Sequence, residues 1–169
     1  MTSPEIYSKL ENYWKNENIK CIKASIRGTL DGTELAKYYE TVGMPCQDWW
    51  QFHFTIPLAE TTGPDVTFGR IFADWKLICR KTNGMCMYVD ENNVEHMSNS
   101  TFLAFMQTLA LFDEGCKKIQ KECPGDSGED WDHGDVIVEE MEVAMRLVDP
   151  RAFENNSNLW PYLLVDING

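Results

Sequence analysis

Residues 75–97 read WKLICRKTNGMCMYVDENNVEHM, and the fold turns on how they are parsed. Asn83-Gly84 is the dipeptide that most favours a two-residue hairpin, because both residues tolerate the positive φ of a type I′ turn. It joins an apolar run at Leu77–Arg80 to a second at Met85–Val89, so two antiparallel strands are expected. A further turn over Glu91–Asn93 leads to Val94–Met97. Upstream, Thr67–Ala73 and Trp75–Arg80 have the same strand-like composition, and Trp49–Ile56 alternates imperfectly around Phe52 and Phe54. The expectation is an antiparallel meander of about four to six strands.

Helical patterns flank the meander on both sides. Thr2-Ser3-Pro4-Glu5 is a helix start, with either Ser3 capping ahead of Pro4 or Thr2 forming a capping box with Glu5. Ile6, Leu10, Tyr13 and Trp14 then share one face, and the helix is expected to fade at Asn16–Asn18. Ile19–Leu30 reads as strand or extended chain. Asp31 is placed as the cap of a short helix through Leu35, Tyr38 and Tyr39, with Gly43 as its C-terminal stop before Pro45. After the meander, Asn99-Ser100 is expected to cap an amphipathic helix over Thr101–Ile119, with Phe102, Phe105, Met106, Leu109 and Phe112 as its stripe. Residues 124–134, PGDSGEDWDHG, have the composition of a loop. From Asp135 a further helix runs to Pro150, a turn follows to Phe153, and Ser157 opens a last short helix with Trp160 and Leu163–Leu164. Helices, meander, helices without βαβ alternation predicts one α+β domain over 1–169.

The chain has 169 residues and a formal net charge of −12. At this charge it repels phosphate and anionic membrane surfaces, so neither nucleic acid nor membrane is an expected partner. The charge is concentrated. Residues 122–145 hold nine acids and no Lys or Arg, which leaves −3 on all the rest. No apolar run approaches the ~18 residues of a spanning helix. The first 23 residues lack the apolar centre of a signal peptide, so a cytoplasmic protein is expected. The six cysteines have no CxxC spacing and read as free, mostly buried thiols.

Catalytic signatures are missing from the sequence: it contains no P-loop, GxGxxG, GxSxG or HExxH. His53, His96 and His133 read as structural or surface residues. No catalytic residue, cofactor or metal is assigned. The nearest approach to a calcium loop, Asp130-x-Asp132-x-Gly134, fails because Glu142 falls at position 13 of the loop and not at 12.

What remains is the acidic segment. With Ile137 taken as the inward direction at ~100° per residue, Asp135, Glu139, Glu142 and Arg146 fall outward while Met141, Ala144 and Val148 join Ile137. Asp135/Glu139 and Glu139/Glu142 are like-charge neighbours on that helix, each costing ~0.2–0.5 kcal/mol, with Arg146 as the offset. Asp126, Glu129, Asp130 and Asp132 surround Trp131 in the preceding loop. An acidic loop carrying an aromatic suits a basic protein partner. The candidate interface is therefore Asp126, Glu129, Asp130, Trp131, Asp132, Asp135, Glu139 and Glu142.

A series of short motifs carries a resemblance. They are Gly43-Met44-Pro45, Phe68-Gly69-Arg70, the hairpin, Met87-Tyr88-Val89-Asp90, and Met97-Ser98-Asn99-Ser100 leading to Phe102 and Phe105. Asp149-Pro150-Arg151-Ala152-Phe153 and Trp160 close the series. In this order they resemble the SUKH superfamily of immunity proteins, most closely its fourth group. In that group a valine-asparagine-serine-serine lead precedes the helix; here only the Asn-Ser pair is kept. The similarity runs in patches from Gly43 to Leu164; the residues before it and the acidic segment stand outside it. The resemblance implies a SUKH-like fold and a cytoplasmic immunity protein that binds a cognate polymorphic toxin with a basic surface and occludes it, without catalysis. It also implies that Gly43 with Pro45 is a turn and that Asn99 with Ser100 is a helix cap. Members of the superfamily also serve as viral and cellular regulatory proteins, so a regulatory scaffold is the alternative role. A monomer or weak homodimer is expected.

Overall fold

In a computed structural model the described residues are 2–26, 32–46, 51–55, 63–72, 74–124 and 128–168, with backbone alone at 128–131, 166 and 168. Five strands form the expected meander in sequence order: β3 (Phe52–Phe54), β4 (Asp65–Ile71), β5 (Trp75–Arg80), β6 (Cys86–Val89) and β7 (Glu95–Asn99). Every neighbouring pair is antiparallel. A separate ribbon pairs β1 (Cys21–Ile22) with β2 (Met44–Pro45). The helices are α1 (Ser3–Asn16), α2 (Glu34–Thr41), α3 (Phe102–Glu122), α4 (Gly128–Val148) and α5 (Leu159–Asn168), with a 3-10 turn at Pro150–Phe153. The chain is α+β.

The central hairpin forms, but not with a two-residue turn. Arg80 N–H donates to Met85 C=O at 2.9 Å, so Lys81–Gly84 make a four-residue loop. Of the Asn-Gly pair only Gly84 takes a positive φ (+73°), and the Asn83 side chain accepts from Met85 N–H at 3.0 Å. The β6–β7 loop is the three-residue kind, a turn followed by a left-handed residue. Asn93 takes that place at φ +60°, and the Asp90 carboxylate accepts from Asn92 and Val94 N–H. Those backbone donors hold the Asp90 carboxyl below its usual range.

The α1 cap takes the second of its two expected forms, the Thr2–Glu5 capping box, and the caps of α2 and α3 differ from expectation. Thr2, not Ser3, caps α1, and its N–H donates to the Glu5 carboxylate at 2.7 Å. Thr33 caps α2, where Asp31 was expected; Asp31 lies outside the described residues. Thr101 caps α3, so Asn99 and Ser100 are released for another task. The Glu34 carboxylate, at the start of α2, accepts from Leu103 N–H at 2.7 Å and satisfies a second open donor of α3. Gly43 ends α2 at φ +87°, and a side chain there would meet the Ile22 backbone at 2.8 Å. Pro45 does not merely stop the helix. It pairs with Cys21 in the ribbon.

α3 is the spine of the core. Phe68 of β4 meets Phe102 and Phe105 edge-on, with ring centroids 5.2 Å apart in each case. Trp160 of α5 lies against Phe52, Phe105 and Phe112. α1 is pinned to α3 at buried Asp113, which binds the Tyr13 hydroxyl and Lys117; Lys117 also reaches Glu17. Burial, with Asp113 beside it, pushes the Tyr13 phenol well above its usual range. None of the six cysteines is in a disulfide; Cys79, Cys86 and Cys116 are buried and Cys46 is exposed.

A buried polar hub joins the meander to the C-terminal elements. Asn99 at the end of β7 donates to Thr108 of α3 and to Asp149, each at 3.2 Å. Asn99 also accepts from the Trp160 indole at 2.7 Å. Asp149 takes Ser100 N–H at 2.5 Å and the Ser100 hydroxyl at 2.9 Å. The Asn-Ser pair is therefore not a cap but the clamp that closes the fold.

Among the described residues, no helix is long and apolar enough to cross a membrane.

Candidate partner-binding face

The acidic segment is more helical than its composition suggested. α4 begins at Gly128, so 128–134 are its first two turns and not a loop. Two forces favour this. Carboxylates in a first turn are stabilised by the helix dipole. Gly134, the expected breaker, lies on the inner side, where a Cβ would sit 4.0 Å from Cys123 Sγ in ordinary contact. Gly134→Ala is therefore expected to stabilise the chain by about 0.5–1 kcal/mol, the helix-propensity difference. A rise in the thermal midpoint checks it; a fall would mean the position needs glycine.

Each expected interface residue has a definite place. Asp126 lies outside the described residues. Glu129, Asp130 and Trp131 are in the first turn of α4, where the backbone alone is described. Asp132, Asp135 and Glu139 are exposed, and among the described residues none of the three makes an ion pair. Glu142 is half-buried and binds Arg146 at 2.7 Å. Arg146 also lies over the Phe153 ring at 4.7 Å, so this pair belongs to the fold.

Arg146 is not the only basic offset. Lys118 of α3 reaches Glu140 at 2.7 Å, and His133 approaches Glu122 at 3.1 Å. The Lys118 ammonium holds the Glu140 carboxyl below its usual range, and that carboxylate raises Lys118 in return. The segment is partly neutralised along its contact with α3 and left charged on the other flank.

The helix is also rotated from the expected orientation. Val138, Met141 and Met145 enter the main core, whereas Ala144 and Val148 are only half-buried. The inward direction thus lies roughly 70° round from Ile137, at ~100° per residue. The direction opposite is apolar. Val136 is 49% exposed, Val143 60% and Leu147 84%. Asp132, Asp135 and Glu139 flank this stripe on one side, and Glu140 stands in its opposite edge, between Val136 and Val143 along the helix. Taking Ile137 as the inward direction hides this stripe, whose sequence signal is the i, i+7, i+11 recurrence of Val136, Val143 and Leu147.

Beside the acidic flank, Val138, Glu142 and Arg146 of α4 and Pro161, Leu164 and Val165 of α5 line an open groove of about 520 Å³. A second depression, about 330 Å³, lies between the starts of α2 and α3 and the β5–β6 loop, with Glu34, Arg80 and Lys81 on its wall. Most of its polar groups are engaged, although Arg80 Nε is buried without a hydrogen-bond partner among the described residues. Glu34 serves α3, Arg80 binds Glu95, and both helix starts have their own threonine caps. Among the described residues, no three His, Cys, Asp or Glu side chains are grouped to hold a metal ion.

Comparison with known proteins finds no matching family model, no matching curated protein and no matching solved structure. The face itself, an apolar stripe with an acidic border on one rigid helix, has the make-up of a protein-binding surface: a desolvatable centre with a charged rim.

Proposed function

We propose that this chain is an immunity protein that binds a cognate protein toxin and neutralises it by covering its active or substrate-binding surface. The observation that carries the reading is the flank of α4 where Asp132, Asp135 and Glu139 stand exposed without ion pairs among the described residues. Carboxylates held in this way on a rigid helix attract a basic cleft and speed its encounter. The role itself is drawn from the resemblance of the ordered motifs between Gly43 and Trp160 to those of the SUKH superfamily.

Since an immunity gene is expected to lie beside the gene of its toxin, the test is co-expression with the product of the adjacent gene, followed by titration of that product's activity. A one-to-one loss of activity is expected. In the variant Asp132→Lys, Asp135→Lys, Glu139→Lys, association is expected to slow by about tenfold at low ionic strength. The difference should shrink as salt rises, since charges beyond ~8 Å are screened at physiological ionic strength. A melting curve separates loss of binding from loss of fold. Unchanged association would remove the acidic flank from the mechanism, and no binding by the parent chain would overturn the immunity role.

A further inference from the structure

We infer that the outward seam of α4, formed by Val136, Glu140, Val143 and Leu147, seats an amphipathic helix of the partner protein with basic residues along its edges. The inference rests on the reading of α4 as the binding face and names what that face takes.

Exposure comes first. Val136, Val143 and Leu147 remain 49%, 60% and 84% exposed, on a helix whose opposite side already fills the core. Scattered surface leucines need no explanation, but three apolar side chains aligned along one line of a helix form a surface.

Spacing comes second. Positions 136, 140, 143 and 147 step by four, three and four, the alternation by which one helix meets another along a seam. They span about 16 Å at 1.5 Å per residue. An extended peptide presents its side chains with period two and needs a free sheet edge for its backbone, which a helix surface does not provide. The complementary occupant is a helix.

Charge fixes what kind of helix. Asp132, Asp135 and Glu139 border the seam on one side, and Glu140 stands within it, held by Lys118. A second copy of this chain is a poor occupant. Each copy carries a net charge of −12, most of it on this segment, so two copies brought together at this face repel. Like charges across an interface cost binding energy, whereas Lys or Arg at the edge of a foreign helix would meet Asp132, Asp135 and Glu139 along the N-terminal half of one side.

The probe is a 21-residue synthetic helix with Leu at the seam positions and Lys at the edges, labelled for fluorescence anisotropy and titrated with the full chain. Two control peptides are used. One has Glu in place of Lys; the other keeps the composition but scatters the Leu residues off the seam. The Lys–Leu helix is expected to bind, and to bind about tenfold more weakly to the Val143→Ser/Leu147→Ser variant, whose changes lie at exposed positions. Neither control should bind comparably.

Equal binding by the scattered peptide would mean that charge alone acts, and would overturn the seam. Unchanged affinity in the double variant would overturn it too. A homodimer in sedimentation equilibrium that the double variant abolishes would give the seam to a second copy instead. The two readings fail separately. If the adjacent gene's product does not bind but the peptide does, the immunity role falls and the seam stands. If that product binds the double variant with full affinity, the seam falls and the immunity role stands.

Discussion

Asp149→Ala is expected to destabilise the chain by about 3–5 kcal/mol, because hydrogen bonds to a charged group contribute roughly 1.5–3 kcal/mol each and this carboxylate takes several. Asp149 is only 4% exposed, and its two oxygens receive Ser100 N–H, the Ser100 hydroxyl and the Asn99 amide. Truncation would leave the Ser100 backbone N–H without its partner and the Asn99 amide with Thr108 alone. Asn99 cannot turn to compensate, since its oxygen is held by Trp160. The loss is a large share of the ~5–15 kcal/mol that holds a typical domain together. Urea unfolding is the measurement: the midpoint should fall with the slope unchanged. Ser100→Ala, which removes one bond and leaves the backbone donor satisfied, should cost much less. Equal costs for the two would mean that the backbone contact contributes little.

The second large effect is expected at the contact of α3 with α4. A Cβ at Gly115 would lie 2.2 Å from Met141 Sδ and within 3.2 Å of Met141 Cγ and Cε. Gly115→Val adds three carbons into that space and is expected to cost about 2–3 kcal/mol, toward the upper end for overpacking. Met141→Ala alone should cost about 2–5 kcal/mol, as a buried methionine lost from the core. Combined, the two changes should cost less than their sum, because the valine occupies the room that the methionine vacates. Strict additivity in a double-mutant cycle would show that the two side chains do not compete for the same space.

How far the molecule could be read from its sequence depended on the range of the forces involved. The β5–β6 hairpin and the α3 stripe were legible because turn chemistry and apolar periodicity act over a few residues. The caps were legible only in kind. Thr101, Ser100 and Asn99 are all competent caps, and the choice among them was made by Asp149, fifty residues away from Asn99. Residues 128–134 were misread because two glycines and several acids mean a loop on average, while α3 lay close enough to hold them as helix. The candidate face was half legible. Its acids were found by counting charge, but the rotation of α4 is set by Met141 and Met145 against α3, and that rotation brings Val136, Val143 and Leu147 outward. Within the segment only the recurrence of Val136, Val143 and Leu147 marks that stripe, and recurrence alone does not say whether a stripe faces inward or outward.

The clamp at Asn99 also bears on the order of events during synthesis. The meander and α3 are built from near neighbours in the chain and can assemble as soon as they leave the ribosome, since local contacts form quickly. Asn99 and Ser100, however, receive their partners only when Asp149 and Trp160 have emerged. Until then the newborn chain holds a sheet whose last strand ends in unsatisfied polar groups and whose aromatic side lacks the Trp160 ring. Such half-finished intermediates expose apolar surface and aggregate readily. The interval between the emergence of residue 99 and that of residue 160 is therefore when this chain is expected to be most prone to aggregation, and the clamp closes only once Trp160 is made.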